Sequence, residues 1–398
     1  MGRQIETTDE LFYAKPEDFE AKGAKIYTET EIFDIDYEAK IVHGKSADGS
    51  DFTETYDKLV LATGSRPIIP DLPGKDLEGM HFLKLYQEGL AVDQEFSNPD
   101  VQRVAVIGAG YIGTEIAEAA KRRGKEVLLF DAVDTSLANY YDPDFAAGMD
   151  ENLAEHGIEL HFGELATEYK GTNGRVSQIV TNKGTYDVDT VINCIGFRAN
   201  SALAEGHLEL GQTGAVKIDR HQQTSDPDVY AVGDVAEIYS NALKGFTYIA
   251  LASNAVRSGI VAGHNIGGTA LESAGVQGSN GISIFGYNMT STGYSVKAAE
   301  RFGLDVDFTD FEDLQKSWFI HEGNETVKIR IVYEKSSRRI VGAQLASRSD
   351  IIAGNVNMFS LAIQEELTID KFGLLDLFFL PHFNAPYNYM TMAALTAK

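Results

Sequence analysis

The sequence predicts an α/β protein built round a β-α-β unit and followed by an α+β region. Three observations carry this. Residues 104–107, Val-Ala-Val-Ile, are a short apolar run of the kind that forms a strand buried on both faces. They lead into Gly108-Ala109-Gly110-Tyr111-Ile112-Gly113, a complete Gly-x-Gly-x-x-Gly, and then into a helical stretch, 114–123, closed by Gly124. A second apolar run, 127–130, ends in an acid, Asp131. A strand, helix and strand this close together require a parallel pair with a right-handed crossover.

The remaining elements follow in order. Residues 8–22 read as a short acidic helix containing Phe12, Pro16 and Phe19. Residues 26–36, 40–45 and 51–61 alternate apolar with polar, with a turn at 47–50, and predict an antiparallel meander. Its last run becomes a buried strand near 58–61, and Pro67, Pro70, Pro73 and Gly74 mark a linker. Beyond the glycine motif come a helix over 144–156, with Pro143 in its first turn, and strands at 159–162, 176–181 and 190–194. Another helix covers 253–266. From Gly275, strands at 283–285, 328–333 and 340–345 alternate with helices at 296–302 and 350–364.

Composition narrows the function classes. With 398 residues, roughly 150 per domain gives two or three domains. Thirty-four basic against 59 acidic residues leave a net charge of −25, which excludes nucleic acid and anionic membrane surfaces as partners. No apolar run approaches the roughly 18 residues of a membrane span. Met1–Glu6 lacks the pattern of a signal peptide. A single cysteine, Cys194, excludes a disulfide framework and fits a cytoplasmic setting. The nine histidines show no metal-ligand spacing, so no metal site is expected.

The glycine motif has defined chemistry. Gly108 permits the tight turn, Gly110 lets a pyrophosphate approach the backbone, and Gly113 lets the helix sit close to the strand. The helix amides and dipole then hold an anion without basic side chains. Asp131 is placed to accept hydrogen bonds from ribose hydroxyls and to repel a 2′-phosphate, favouring NADH over NADPH.

Together with Ala62-Thr63-Gly64, Asn193-Cys194-Ile195-Gly196-Phe197-Arg198-Ala199-Asn200, Thr224-Ser225-Asp226-Pro227-Asp228-Val229-Tyr230-Ala231-Val232-Gly233-Asp234 and Phe378-Phe379-Leu380-Pro381-His382-Phe383-Asn384-Ala385-Pro386-Tyr387-Asn388-Tyr389, this motif makes the chain resemble the flavin-dependent pyridine nucleotide–disulfide oxidoreductases. It is most similar to their branch of water-forming NADH oxidases and NADH peroxidases. The resemblance implies tandem FAD- and NAD-binding Rossmann-like domains of the glutathione-reductase type and a C-terminal α+β dimerisation domain. It divides the chain into a first FAD segment at 1–98, an NAD domain at 99–221, a second FAD segment at 222–272 and a dimerisation domain at 275–398. The implied activity is hydride transfer from NADH to FAD and on to dioxygen, in a homodimer. NADH peroxidase and coenzyme A-disulfide reductase are alternatives within the family, and a non-catalytic, NAD-binding dimeric remnant is an alternative outside it.

The resemblance also assigns roles. Gly108, Gly110, Tyr111, Ile112, Gly113, Glu115, Asp131, Tyr140 and Gly196 fall to NADH, with Tyr111 covering the flavin and Glu115 orienting the nicotinamide. Thr63, Gly64, Gly233, Asp234, Ala250 and Leu251 fall to FAD, with the N-terminus of the helix near Ser253 aimed at the flavin. One departure stands out. The family's separate N-terminal FAD glycine motif and redox cysteine have no counterpart here, so the first βαβ unit of the FAD domain is expected to be missing and the chain truncated. No catalytic residue is then expected among those present. Cys194 is read as core packing, His382 as structural, Phe378, Phe379, Phe383, Tyr387 and Tyr389 as an interface cluster, and Asp305, Asp307, Asp310, Glu312 and Asp313 as a solvated face.

Overall fold

The computed structural model describes residues 7–12 and 14–398; the expectation for Met1–Glu6 lies outside the described residues, as does Tyr13. The stretch expected as one helix over 8–22 is a 3-10 turn, Thr8–Leu11, and helix α1 (Pro16–Glu20). Pro16 occupies a first-turn position, where its missing N–H is harmless, and its ring stops the helix extending back.

Strands β1 (Thr30–Asp36), β2 (Ile41–Ser46) and β3 (Asp51–Thr55) form the meander. The third run does not continue to 61. Its apolar end, β4 (Leu59–Leu61), leaves the meander and pairs in parallel with Val229–Ala231. Apolar side chains on both faces suit a parallel pair and not a half-solvated meander. Asp228 clasps this junction, its carboxylate accepting from Lys40 and Lys58 at 2.5 Å each. These two bonds lower its pKa from 3.8 to about 2. The stability this adds is present above pH 3.8 and is lost as pH falls towards 2. Asp228→Asn therefore lowers the melting temperature at pH 7 and has little effect near pH 2, as differential scanning calorimetry at the two pH values will show.

Strand β5 (Ser65–Pro67) follows, then β6 (Met80–Phe82) and helix α2 (Tyr86–Ser97), neither of which the sequence pattern announces. Glu88 caps α2 by accepting the backbone N–H groups of Lys84 and Leu85 at 2.6 and 2.7 Å, and Val92 and Phe96 bury one face of it.

Next come β7 (Arg103–Ile107), α3 (Tyr111–Arg122), β8 (Glu126–Asp131), α4 (Pro143–Glu155), β9 (Ile158–Phe162), an antiparallel trio β10 (Ala166–Thr172), β11 (Arg175–Thr181) and β12 (Thr185–Asp187), and β13 (Thr190–Asn193). The parallel sheet has the order β6-β13-β7-β8-β9. Residues 80–97, grouped with the first segment by sequence, thus add a strand to this sheet. Helix α3 begins three residues earlier than the pattern suggests, because extended Gly110 serves as its N-cap. One face of α3 packs Ile116, Ala117 and Ala120 onto Val104, Val106 and Leu129.

Strand β14 (Phe197–Ala199) pairs with β5, and β15 (Val229–Ala231) with β4. Then come β16 (Ile238–Ser240), β17 (Gly245–Thr247) and α5 (Ala252–Ile266), whose Val256 and Ile260 are exposed. The C-terminal region holds β18 (Asn280–Ile284), β19 (Tyr287–Gly293), α6 (Val296–Arg301), β20 (Val306–Leu314), β21 (Thr326–Glu334), β22 (Ile340–Ser347), α7 (Ile351–Gln364), α8 (Ile369–Phe372) and α9 (Tyr389–Leu395). Its antiparallel sheet, ordered β18-β19-β22-β21-β20, is covered by α7 and α9.

The acidic residues from 305 to 313 lie on a solvated face as expected: Asp305, Asp310, Glu312 and Asp313 are exposed, and Asp310 also reaches the buried Arg330. One expectation needs correction here. Tyr389 does not share the surface of Phe378, Phe379, Phe383 and Tyr387 but sits in the core, since α9 turns it inward against the sheet. Among the described residues, no helix is long and apolar enough to cross a membrane.

Candidate functional site

The glycine motif lies where β7 meets α3, at the C-terminal edge of the parallel sheet, the edge at which open α/β sheets bind ligands. Its three glycines have different constraints. Gly108 has φ +97°, and a Cβ there would come 2.6 Å from the Cys194 carbonyl oxygen. A Cβ on Gly113 would stand 1.7 Å from the Gly108 carbonyl oxygen. Both are glycine because the fold needs it. Gly110 has extended backbone, and a Cβ there would meet nothing within 4 Å. The protein leaves that space open. No side chain caps α3, so the amides of its first turn are free for an anion.

Asp131 ends β8 beside this loop. One carboxylate oxygen accepts the Ala109 N–H at 2.7 Å and the other the Val133 N–H at 3.1 Å. Each oxygen keeps lone-pair capacity for a ribose hydroxyl. Tyr111 opens α3 with its ring 4.3 Å from that of Tyr140, centroid to centroid. Its hydroxyl meets the Tyr141 hydroxyl at 3.1 Å and also the Asn280 side-chain oxygen, which the Ser291 hydroxyl shares. Burial raises the Tyr111 phenol well above its ordinary range. Glu115 stands one turn along α3; desolvation first, then the Glu118 charge, raise its carboxyl. Gly196, with φ +108°, lies on the exposed chain after β13. The structure thus gathers Gly108 to Gly113, Glu115, Asp131, Tyr140 and Gly196 along one sheet edge.

Cys194 lies just past β13, whose strand ends one residue short of the expected 190–194. Its N–H donates to the Ile107 carbonyl at 2.6 Å, and its side chain packs against the core beneath Gly113. Burial pushes its thiol up to about 12, so it is protonated at neutral pH and a poor nucleophile. Cys194→Ala should leave the NADH dissociation constant, measured by titration calorimetry, within about twofold of wild type, because its side chain packs into the core beneath the glycine motif and the substitution removes only one small buried atom.

The second group of predicted residues surrounds the end of β15. Thr63 donates its hydroxyl to the Asn200 carbonyl at 2.7 Å, and Gly64 has φ +68°. Gly233, at φ +69°, donates its N–H to the Ser258 hydroxyl at 3.0 Å. The Asp234 carboxylate accepts from Ser65 and Lys84, each at 2.8 Å. Ala250 and Leu251 directly precede α5. Nearby Gln222 is buried with an unpartnered side-chain oxygen, a free acceptor beside Gly233 and Asn254. Ser65 and Lys84 escaped sequence reading, because they lie 169 and 150 residues from Asp234 and no local pattern links them. His382 is exposed, and no group of three metal-ligating side chains occurs among the described residues.

Comparison with known proteins shows the family. Residues 3–259 match the pyridine nucleotide-disulphide oxidoreductase model, and residues 281–388 match that family's dimerisation domain. A protein of Lactococcus lactis subsp. cremoris named NADH oxidase is 75% identical over 399 aligned residues, covering 100% of this chain and 90% of the relative. A Streptococcus pyogenes protein of the same name is 53% identical, covering 100% of this chain and 89% of the relative. The structure of the water-forming NADH oxidase from Lactobacillus brevis bound to NADH superposes with a TM-score of 0.95 at 33% identity, covering 99% of this chain and 87% of that one. On its own sequence and fold, the chain belongs to the pyridine nucleotide-disulphide oxidoreductase family.

Proposed function

We propose that the chain is an FAD-dependent NADH oxidase with dioxygen as acceptor, akin to the water-forming NADH oxidases but with no peroxide-reducing cysteine in this sequence. The observation that carries this is the open space at Gly110 with Asp131 fixed beside it, in a chain so similar to proteins named NADH oxidase. FAD, when bound, supplies the carrier that takes two electrons from the nicotinamide and gives them to oxygen.

The chain's residues do the rest. First-turn amides of α3 hold the pyrophosphate with the help of the helix dipole. Asp131 takes the ribose hydroxyls and disfavours a 2′-phosphate. Tyr111 and Tyr140 wall the nicotinamide side, and Glu115 orients the ring. Thr63, Gly64, Gly233, Asp234, Ala250 and Leu251 hold the flavin side, and the N-terminal dipole of α5 favours negative charge there. The sequence has no cysteine besides Cys194 to serve as a peroxide-reducing thiolate, so that half of a water-forming cycle falls to no residue of it. The C-terminal region pairs with a second copy through Phe378, Phe379, Phe383 and Tyr387, all exposed in the single chain. The single cysteine favours a cytoplasmic protein.

The test is to purify the full chain with added FAD, record its visible flavin absorption, and follow NADH and oxygen together. We expect a yellow protein that binds NADH in preference to NADPH and consumes both NADH and oxygen. A colourless protein that binds NADH without turnover overturns the oxidase in favour of a non-catalytic dimer. A protein that ignores NADH overturns both.

A further inference from the structure

Residues 132–142, between β8 and α4, wrap the glycine motif and carry Tyr140. The first part of this segment is tied within the nucleotide-binding unit. The Thr135 hydroxyl and Ser136 N–H reach the Asp150 carboxylate at 2.5 and 3.1 Å, and the Leu137 N–H reaches the Ala109 carbonyl at 2.8 Å. Leu137 is buried at φ +53°, a left-handed conformation that a leucine keeps only where its surroundings over-determine it.

The other end of the segment is tied to the C-terminal region. Asp142 is 2% exposed. Its N–H donates to the Gln344 side-chain oxygen at 2.8 Å, and one carboxylate oxygen accepts from the Gln344 amide at 2.6 Å and from Arg330 at 3.1 Å. The Val296 and Lys297 amides, at the start of α6, reach the two carboxylate oxygens at 3.2 Å. Arg330 also makes paired bonds to Asp310, at 2.7 Å each, and to Asp144, at 3.0 and 2.9 Å. Tyr140 and Tyr141 lie between these two anchorages. A buried ionic network of this kind is weak evidence for stability; its best-attested use is to fix one geometry.

We infer that Arg330 and Gln344 are positioning residues for NADH: through Asp142, and from across the interface between sheet and nucleotide unit, they hold Tyr140 against Tyr111 at the mouth of the site. The inference rests on the NADH-binding reading above. Neither residue touches the site, and neither belongs to a recognisable motif.

The experiment titrates the full chain with NADH by calorimetry and records its melting temperature. Gln344→Met, which removes both side-chain bonds to Asp142 at nearly constant volume, should raise the dissociation constant roughly five- to tenfold. In a Tyr140→Ala background the same substitution should change it by less than about twofold, because a shared route makes the two effects non-additive. Arg330→Lys, which keeps the charge and loses the fork, supplies a second variant should Gln344→Met not fold. An unchanged dissociation constant in a folded variant overturns the inference, as do effects that multiply independently of Tyr140. A wild-type chain that binds no NADH overturns the underlying reading instead, and is told apart because it fails before any substitution.

Discussion

Gly110→Val abolishes measurable NADH binding while leaving the melting temperature near that of wild type. The backbone at this residue is extended, with φ −76° and ψ −166°, so valine fits without strain. A Cβ there meets no protein atom within 4 Å, so folding loses no more than the roughly 1 kcal/mol that a poorer N-cap costs. The side chain instead fills the approach to the α3 amides. Losing two hydrogen bonds to a charged group, at about 1.5–3 kcal/mol each, weakens binding by about a hundredfold or more. Gly113→Ala gives the opposite pattern. Its methyl group would stand 1.7 Å from the Gly108 carbonyl oxygen, so it destabilises the fold by about 1–3 kcal/mol or more. Thermal melts and NADH titrations of the two variants separate a glycine kept for ligand from one kept for packing. Equal effects on both measurements would contradict this division.

Asp131→Ala lowers NADH affinity by roughly ten- to a hundredfold, the value of one hydrogen bond to a carboxylate, and narrows the preference over NADPH. Both effects follow from the same group. The charge that accepts ribose hydroxyls also repels a phosphate on the 2′ position, so its removal costs NADH a partner and NADPH nothing. The Ala109 and Val133 amides lose their acceptor too, so a small fall in melting temperature accompanies the change. Competition between the two coenzymes, measured on wild type and variant, checks this. Equal affinities for NADH and NADPH in the wild type would refute the assignment.

The nucleotide half of the site was legible because its signals are local. Strand, glycine turn, helix and closing acid lie between residues 103 and 131, and each glycine acts on its immediate neighbours. The rest depends on partners distant in sequence. Leu59–Leu61 reads as the end of a meander until Val229–Ala231 is placed beside it. Asp234 is marked by its motif, but its partners Ser65 and Lys84 lie far from it in sequence and carry no signal of their own. Arg330 lies on a strand whose pattern says only that it is buried or facing out; what fixes its role is Asp142, 188 residues away. Tyr389 was grouped with its aromatic neighbours because composition cannot show that α9 starts there and turns it inward. Helix α2 was missed because its N-cap is Leu85, which no preference table favours, and the capping acid Glu88 works through the backbone alone.

The position of a bound nicotinamide dinucleotide is the decisive observation. Crystals of the full chain soaked with NADH should show the diphosphate over the open backbone of Gly110, within hydrogen-bonding distance of the first amides of α3, and the adenosine ribose on the Asp131 carboxylate. Density for the coenzyme elsewhere, or no density for it at saturating NADH, would contradict it.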